Sequence, residues 1–553
     1  MDTATTRGND ADPYDGIDPA VYERRWWTLG VLCLSLLIVI IGNTTLNVAI
    51  PTLSRSLGAS NSQLQWMVDA YSLVFAGLLF TAGSVGDRFG RKGMLQGGLV
   101  LFGLATTYCA VVASSATEVI VGRVAMGVAG AMIMPATLSI LTNVFPRRER
   151  AKAVSIWAGI SGSGAAIGPL LTGFVLEHFS WSAVFAVNIP FIVVALAAGA
   201  FLVPRSQGEH GVALDLVGAV LSAVGLSSLV YAIIEGPTHG WTSPTTLLAA
   251  GIGAVVLAVF VWWELRIPNP MLDVRLFKIP AFGISALALT LVFFALMGMF
   301  FSMSQLMQLV WGFSPLGSAV RMLPVSFVMI LVAPRSAALA DRFGKRRVVA
   351  GGMAGMTIGV LIMTTVGVSS SYLLLLAGIV VMAAGIALAM SPTTDLLMSA
   401  VPREKAGMGS AMNDTTRELG TSLGVAFFGS LLASRYSGQL SGALGAVPAE
   451  SRGAAKGSLG GALHVAGSLG DAGRQLADAA KSAWVSGFRL SLVAGSVVLA
   501  AAAIIAYRFL PDRAHDADDH HGPASGAAEG MAEWHNEPAE HDLEAGEGSL
   551  VLD

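Results

Sequence analysis

The residues of this chain that could do chemistry stand inside long apolar runs. The densest group is Asn413-Asp414-Thr415-Thr416-Arg417-Glu418. Asp414 and Arg417 are spaced i,i+3, and Asp414 and Glu418 i,i+4, so on a helix the three share one face. They lie roughly nine to fourteen residues into their run, which at 1.5 Å per residue is about 13–20 Å from its start. Asn43 and Asn47 fall one turn apart. Asp69 opens a second run in Trp66-Met67-Val68-Asp69-Ala70-Tyr71, close to its outer end, and Arg123 sits in Val121-Gly122-Arg123. Asp395 follows Ser391-Pro392 near the end of another run. Charge inside a bilayer is costly, which makes each of these a functional candidate. A permanent guanidinium can hold a nearby carboxylate ionised until a proton arrives. Plainer roles compete: hydrogen bonds between helices for the asparagines, a snorkelling Arg123, and a structural ion-pair cluster at 413–418.

The composition says what must position these groups. Of 553 residues, 54% are hydrophobic and 12% charged, against about 25% charged in a soluble protein. The mean hydropathy is +0.67. These values specify an all-α polytopic membrane protein. Cys33 and Cys109, both in apolar runs, make neither a disulfide framework nor a metal site. No Gly-x-x-x-x-Gly-Lys-Ser/Thr string is present, so ATP-driven pumping is not expected. No paired His or Cys constellation points to an enzyme, and no cofactor, metal or nucleic-acid partner is expected. The polar leader of about 25 residues has no cleavable apolar core, so the first span does the targeting.

Fourteen spans are predicted, near 26–50, 66–86, 94–113, 118–145, 151–178, 182–203, 212–235, 244–264, 281–311, 317–340, 346–367, 371–400, 405–434 and 482–510. Lys and Arg cluster in alternate connections, among them Arg88, Arg91, Lys92, Arg148, Arg150, Arg342 and Lys345. The short opposite connections hold almost none, with Arg55 the exception. This asymmetry places both termini in the cytoplasm. The resulting divisions are a leader at 1–25, a six-helix bundle at 26–204, two inserted helices at 205–270 and a second bundle at 271–510. A Gly-, Ala- and Ser-rich stretch at 435–481 is expected outside the membrane, as a flexible loop or a short interfacial helix near Leu476. The tail 511–553 is acidic and His-containing and is expected to be disordered.

One polar decapeptide separates two of the apolar runs: Gly83-Ser84-Val85-Gly86-Asp87-Arg88-Phe89-Gly90-Arg91-Lys92. It suits a tight loop on the positive side, with Gly90 supplying a backbone conformation of positive φ. A related string recurs downstream as Ala337-Ala338-Leu339-Ala340-Asp341-Arg342-Phe343-Gly344-Lys345. Such a repeat points to two homologous halves. The first copy resembles the loop signature between the second and third helices of the major facilitator superfamily, and the second resembles its weaker partner. Twelve spans plus two is similar to that superfamily's fourteen-helix drug:proton antiporter branch.

The resemblance covers nearly all of residues 26–510. It implies two six-helix bundles with two inserted helices, alternating access, and substrate bound between the bundles. It assigns gating to Gly83, Asp87, Arg88, Gly90, Arg91, Asp341, Arg342 and Gly344. Gly164, Gly168, Pro169 and Gly173 resemble the antiporter motif of the fifth helix, and Arg123 the fourth-helix Arg of proton coupling. Ile41-Gly42-Asn43-Thr44-Thr45-Leu46-Asn47 resembles the first-helix motif, with Gly42 where that motif usually carries Asp. Asn43 and Asn47 are then candidates for the substrate cavity. The implied activity is export of amphipathic small molecules, such as drugs or secondary metabolites, by a monomer in a bacterial cytoplasmic membrane, driven by the proton gradient. With the first-helix acid missing, proton coupling falls to Asp414, Glu418, Arg417, Arg123, Asp69 and Asp395, the carboxyls as carriers and Arg123 as a modulator. Asp414 is the expected principal carrier: burial works against its charge and Arg417 works for it. The alternatives are a lipid or siderophore exporter, or a facilitator without coupling.

Overall fold

A computed structural model describes residues 17–205, 215–268, 270–401 and 406–512. The leader to residue 16, the join at 206–214, Arg403, Lys405 and the tail beyond Asp512 lie outside the described residues, as does the side chain of Asp87. The first half comprises α1 (Pro19–Ser56), α2 (Asn61–Phe89), α3 (Arg91–Val111), α4 (Ala116–Val144), α5 (Arg147–His178), the short α6 (Ala183–Ala186) and α7 (Ile189–Leu202). Two helices follow, α8 (Leu216–His239) and α9 (Pro244–Glu264). The second half holds α10 (Pro280–Gln305), α11 (Pro315–Phe343), α12 (Lys345–Met363), α13 (Tyr372–Ser399), α14 (Ala406–Leu440), α15 (Ala449–Gly457), α16 (Leu459–Gly467) and α17 (Gly470–Phe509).

Local chemistry sets the helix ends. Ser60 with Gln63, and Ser115 with Glu118, form capping boxes at the starts of α2 and α4. Ser243 and Ser314 cap α9 and α11 just before Pro244 and Pro315. In each copy of the repeated loop a single glycine joins two helices: Gly90 at φ +107° and Gly344 at φ +88°. That is the reason for glycine there, because a Cβ is disfavoured in that region. Lys92 reaches back to the carbonyls of Ala200 and Val203, both at 2.7 Å, and closes the end of α7. Asp512 accepts the Arg346 amide at the start of α12.

Among the described residues, twelve helical stretches are long and apolar enough to cross a membrane. The 32-residue α5 and 35-residue α14 are not in that set. They are the more polar helices that carry the Gly-Pro string and the acidic cluster, and both pack among the other twelve.

Each half has its own apolar core, one built on α1–α4 and one on α10 and α12–α17. The start of α1 lies beside the starts of α5 and end of α7, through Arg25–Glu149 and Thr28–Leu202. The end of α17 meets the start of α12. The described residues begin and end at this end of the molecule, the terminal end; the opposite one is the far end. The α8 helix lies across the seam between α2 and α14, with Val230 and Ile234 packed on Leu73 and Ala426. By contrast α9 packs on α8 and exposes Leu247, Leu248, Val255 and Trp262, as a lipid-facing helix should.

The stretch 435–481 differs from the expected loop. The α14 helix continues to Leu440, α15 and α16 follow, and α17 begins at Gly470. Tyr436 donates to the carbonyls of Ala455 and Ser458, at 2.8 and 3.1 Å, which pins α15 and α16 to the bundle. Leu476, Ala480 and Trp484 are buried in the second core rather than lying on an interface. The small residues that read as a loop let these short helices pack tightly: Gly460 lies directly against Ser54 of α1.

The loop geometry generates a stability prediction. Gly90→Ala should cost about 1–2 kcal/mol from its positive φ. Gly344→Ala should cost more, because its methyl would also lie 2.5 Å from Asp512 Oδ1. Gly93→Ala, which meets nothing within 4 Å, is the control. Melting temperatures in detergent should fall in the order Gly93→Ala, Gly90→Ala, Gly344→Ala; equal values for all three would contradict the strain argument.

Candidate functional site

The polar centre of the molecule is assembled from α1, α2, α4 and α14. Arg123 is fully buried. Its Nε donates to the Met67 carbonyl at 2.9 Å and its Nη1 to the Gly42 carbonyl at 2.7 Å. The guanidinium lies 4.3 Å from the centre of the Tyr71 ring, a favourable cation–π geometry. Its Nη2 has no partner. Arg123 thus spans α4, α1 and α2 on backbone carbonyls, with no carboxylate in ion-pair range among the described residues. The glycines beside it explain its burial: a methyl at Gly127 would meet the Tyr71 carbonyl at 2.7 Å and one at Gly130 would meet Phe75 at 2.9 Å. The α4 helix therefore lies tight on α2.

Gly42 faces the same region. A Cβ there would stand 2.7 Å from Cζ of the buried Phe102. The family's first-helix acid has no room here unless Phe102 moves, and the carbonyl of this residue serves Arg123 instead.

Asp69 is 0% exposed, and neither of its carboxylate oxygens has a hydrogen-bond partner. The expectation that it sits near outer water therefore fails, because α14 packs over this face of α2. Ser422 lies beside it without completing a bond of good geometry. One turn on, Ser72 stands in the same relation to Glu418. Glu418 itself crosses between the halves: its Oε1 accepts from Asn43 Nδ2 at 3.4 Å, while Oε2 is buried and unpartnered. Glu418, Tyr71 and Arg123 are within electrostatic reach of one another. Two carboxyl groups thus face the α2–α14 seam with more acceptors than donors. Buried carboxylates without cations or donors are costly, which makes these two groups candidates for proton binding.

The other predicted residues are placed as follows. Asp414 is half-buried beside Asn413. Arg417 lies 5.5 Å from the Phe293 ring centre, and its Nε is unpartnered. Asn47 keeps a buried, unpartnered Oδ1. Asp395 is separate from the cluster, largely exposed at the terminal end and paired with Lys345. Its environment is that of a surface bridge between α12 and α13. Arg88, Asp341 and Arg342 are exposed at the terminal end. Arg91 is half-buried, and Gly83 approaches Pro135 of α4. Along α5, Gly164 packs on Leu37 and Ile40, Gly168 on Thr44, and Gly173 on the Leu316 backbone of α11. Pro169 follows Gly168 inside α5. The Gly-Pro string is therefore where α5 passes from its own half to the other.

At the far end the halves are clasped by side chains on backbone carbonyls. Gln308 of the π-turn Leu306–Val310 donates to the Val48 carbonyl at 3.0 Å. Arg55 donates to the Gln308 carbonyl at 3.1 Å. Asn61 reaches the Gly429 carbonyl at 3.0 Å, and Ser54 meets Ser458 at 3.2 Å. Pro51 inside α1 and the π-turn in the partner run both disturb helix pairing near this contact. Sequence reasoning missed Gln308, Asn61, Ser72 and Ser422. A signal existed for the serines: Ser72 is i+3 from Asp69, and Ser422 is i+4 from Glu418.

Residues 32–425 match the Major Facilitator Superfamily. The chain is 36% identical over 490 residues to the multidrug efflux pump LfrA of Mycolicibacterium smegmatis, covering 88% of this chain and 96% of that one. It is 36% identical over 484 residues to the methyl viologen resistance protein SmvA of Salmonella typhimurium, covering 86% and 96%. The tetracenomycin C resistance and export protein of Streptomyces glaucescens is 30% identical over 491 residues, covering 87% and 91%. In fold, the chain superposes on a bacterial homologue of the human lysosomal transporter Spinster in an inward-facing, unoccupied conformation, with a TM-score of 0.62 at 18% identity, covering 89% and 98%. With two repeated halves, a charged seam and relatives of this similarity along most of its length, the chain belongs to the Major Facilitator Superfamily.

Proposed function

We propose that this chain is a fourteen-span, proton-coupled exporter of amphipathic small molecules, with both termini in the cytoplasm of a bacterial cell. The observation that carries this reading is Asp69, a fully buried carboxyl with no partner, set with Glu418 on the seam between the halves. Relatives named as drug efflux and resistance proteins support the direction and the substrate class. The two spans beyond the twelve apolar ones are α5 and α14, whose polarity is that of helices lining a transport path rather than facing lipid. The protein works as a monomer, because the path lies within one chain.

In this reading the far-end clasp holds the transporter open toward the terminal, cytoplasmic end. Protons reach Asp69 and Glu418 when the clasp opens to the outside. Their binding neutralises the seam and lets α2 and α14 slide past each other toward the inward state, where substrate displaces the protons. Asp69 and Glu418 are the principal carriers, because each stands beside a side chain of the other bundle, Ser422 and Asn43 respectively. Arg123 sets the local field and spans three helices. A facilitator without coupling is the competing reading, favoured by the packing of Phe102 where the first-helix acid would stand.

Efflux into everted vesicles, with and without a protonophore, separates the two. For the coupled exporter, protonophore abolishes transport, and Asp69→Asn and Glu418→Gln each lower it about tenfold or more, a loss near 1.4 kcal/mol. Substrate binding to the variants should persist, and Asp414→Asn should lose less. Wild-type pH dependence in Asp69→Asn and Glu418→Gln would overturn the assignment.

The clasp is tested separately. Gln308→Leu removes a buried bond worth about 1 kcal/mol, enough to shift the access equilibrium several-fold. A cysteine replacing the buried Thr45 should then react faster with an impermeant thiol reagent added outside. Unchanged reactivity would mean that Gln308 does not hold the far end closed.

A further inference from the structure

A second pair of carboxyl groups lies away from the transport seam, at the terminal end of the inserted helices. Asp215 caps α8: its Oδ1 accepts the Gly218 amide and the Trp263 indole N–H at 2.8 and 2.9 Å. Glu264, the last residue of α9, is 2% exposed, and its Oε2 accepts the Leu272 amide at 3.1 Å. The remaining oxygens, Asp215 Oδ2 and Glu264 Oε1, are both buried and both without a partner. They converge on one point. A methyl built on Gly218 would overlap Asp215 Oδ2 and lie 2.6 Å from Glu264 Oε1, so the two oxygens are within about 5 Å of each other. Gly218 supplies the space that keeps them facing.

Two like charges cannot both persist at such a place without a bridging positive group. The local cations are turned elsewhere: Arg266 lies over the Trp262 ring, and Arg275 donates to the Leu265 carbonyl. Among the described residues, Asp215 is the titratable side chain that acts on Glu264, and the backbone of Met271 and Leu272 supplies the other polar contacts. Two oxygens are too few for a calcium or magnesium ion, which needs six or more ligands. No cluster of three or more metal-binding side chains occurs among the described residues. A proton needs no further ligand: with Oδ2 and Oε1 facing across Gly218, one carboxyl can donate to the other.

We propose that Asp215 and Glu264 bind one proton between Oδ2 and Oε1, forming a proton-locked brace that is separate from the transport carboxyls. The brace fastens the connection 265–279. That connection lies between the halves: Met271 accepts from Thr81 of α2 through its sulfur at 3.7 Å. Leu276 packs with Phe80 of α2 and with Phe282, Leu397, Val401 and Met412 of the second half. Proton loss leaves the Leu272 amide on a charged carboxylate but sets Asp215 against Glu264, and the repulsion loosens this connection. The ligand is a proton, and its readout is mechanical.

The test uses the full chain in detergent and compares wild type, Glu264→Gln and Asp215→Asn. A proton held by the folded pair lends stability at low pH that fades as pH rises. The wild-type melting temperature should therefore fall by a few degrees more than that of either variant between pH 6 and pH 9. Infrared difference spectra between wild type and Glu264→Gln should contain a protonated-carboxyl band that disappears over the same range. Neither EDTA nor added calcium should alter the wild-type curve. Equal pH slopes in wild type and both variants would overturn the proposal, as would the absence of the band. A melting temperature lowered by EDTA and restored by calcium would replace the proton with a cation. Transport assays on Asp69 variants leave these readings untouched, so failure here and failure of the proposed coupling are distinguishable.

Discussion

A charge taken out of water must be paired, neutralised or surrounded by dipoles. The centre of this molecule applies the third solution to its cation and leaves its anions to the second. Arg123 is held by the carbonyls of Met67 and Gly42 and the face of Tyr71. It therefore does not use up its charge on a permanent carboxylate partner. Asp69 and Glu418 remain short of donors, which in the proposed coupling leaves them free to take up and release a proton. A direct Arg–carboxylate pair at this place would stabilise one charge state and defeat that response.

The same division of labour runs through the two ends of the molecule. At the far end the halves meet through uncharged or carbonyl-directed bonds, Gln308 to Val48 and Asn61 to Gly429, which break and reform without desolvating an ion pair. At the terminal end, the Arg25–Glu149 bridge lies within the first half and Lys345–Asp395 within the second. Arg25 holds Glu149 below the usual carboxylate range, so this bridge persists at ordinary pH. In an alternating-access transporter, bonds inside a bundle can be strong because the bundle moves as one body, whereas bonds between bundles must be comparable in both access states.

Much of the fold was legible because hydropathy and helix punctuation act locally. The repeated loop with its positive-φ glycines, the long apolar runs and the small residues of α4 and α5 were all readable from residue type and spacing. Those glycines lie in the contacts that spacing implied, with α2 for Gly127 and α1 for Gly164. What could not be read was depth set by a neighbour. Asp69 is three residues from the start of an apolar run, yet α14 covers it, and no local pattern encodes that packing. Asp395 presents the opposite case: near the end of its run it reads as close to water, and it is exposed there beside Lys345. The loop at 435–481 misread for a related reason: Gly and Ala are poor helix signals in isolation, but they permit close packing once Tyr436 fixes the turn.

The placement of α8 has a consequence for the route by which an oily cargo enters. A two-bundle transporter has two vertical clefts open to the surrounding lipid, one on each side of the central path. Here α8 lies across the cleft between α2 and α14, packed from Ala223 against Gly77 to Glu235 against Trp66, and α9 backs it. The opposite cleft, between α5 and α11, is bridged at the far end by Gly173 against Leu316. In the proposed orientation and for the proposed amphipathic cargo, α8 closes one sideways approach from the cytoplasmic leaflet and leaves the approach beside α5, the helix that carries the Gly-Pro string.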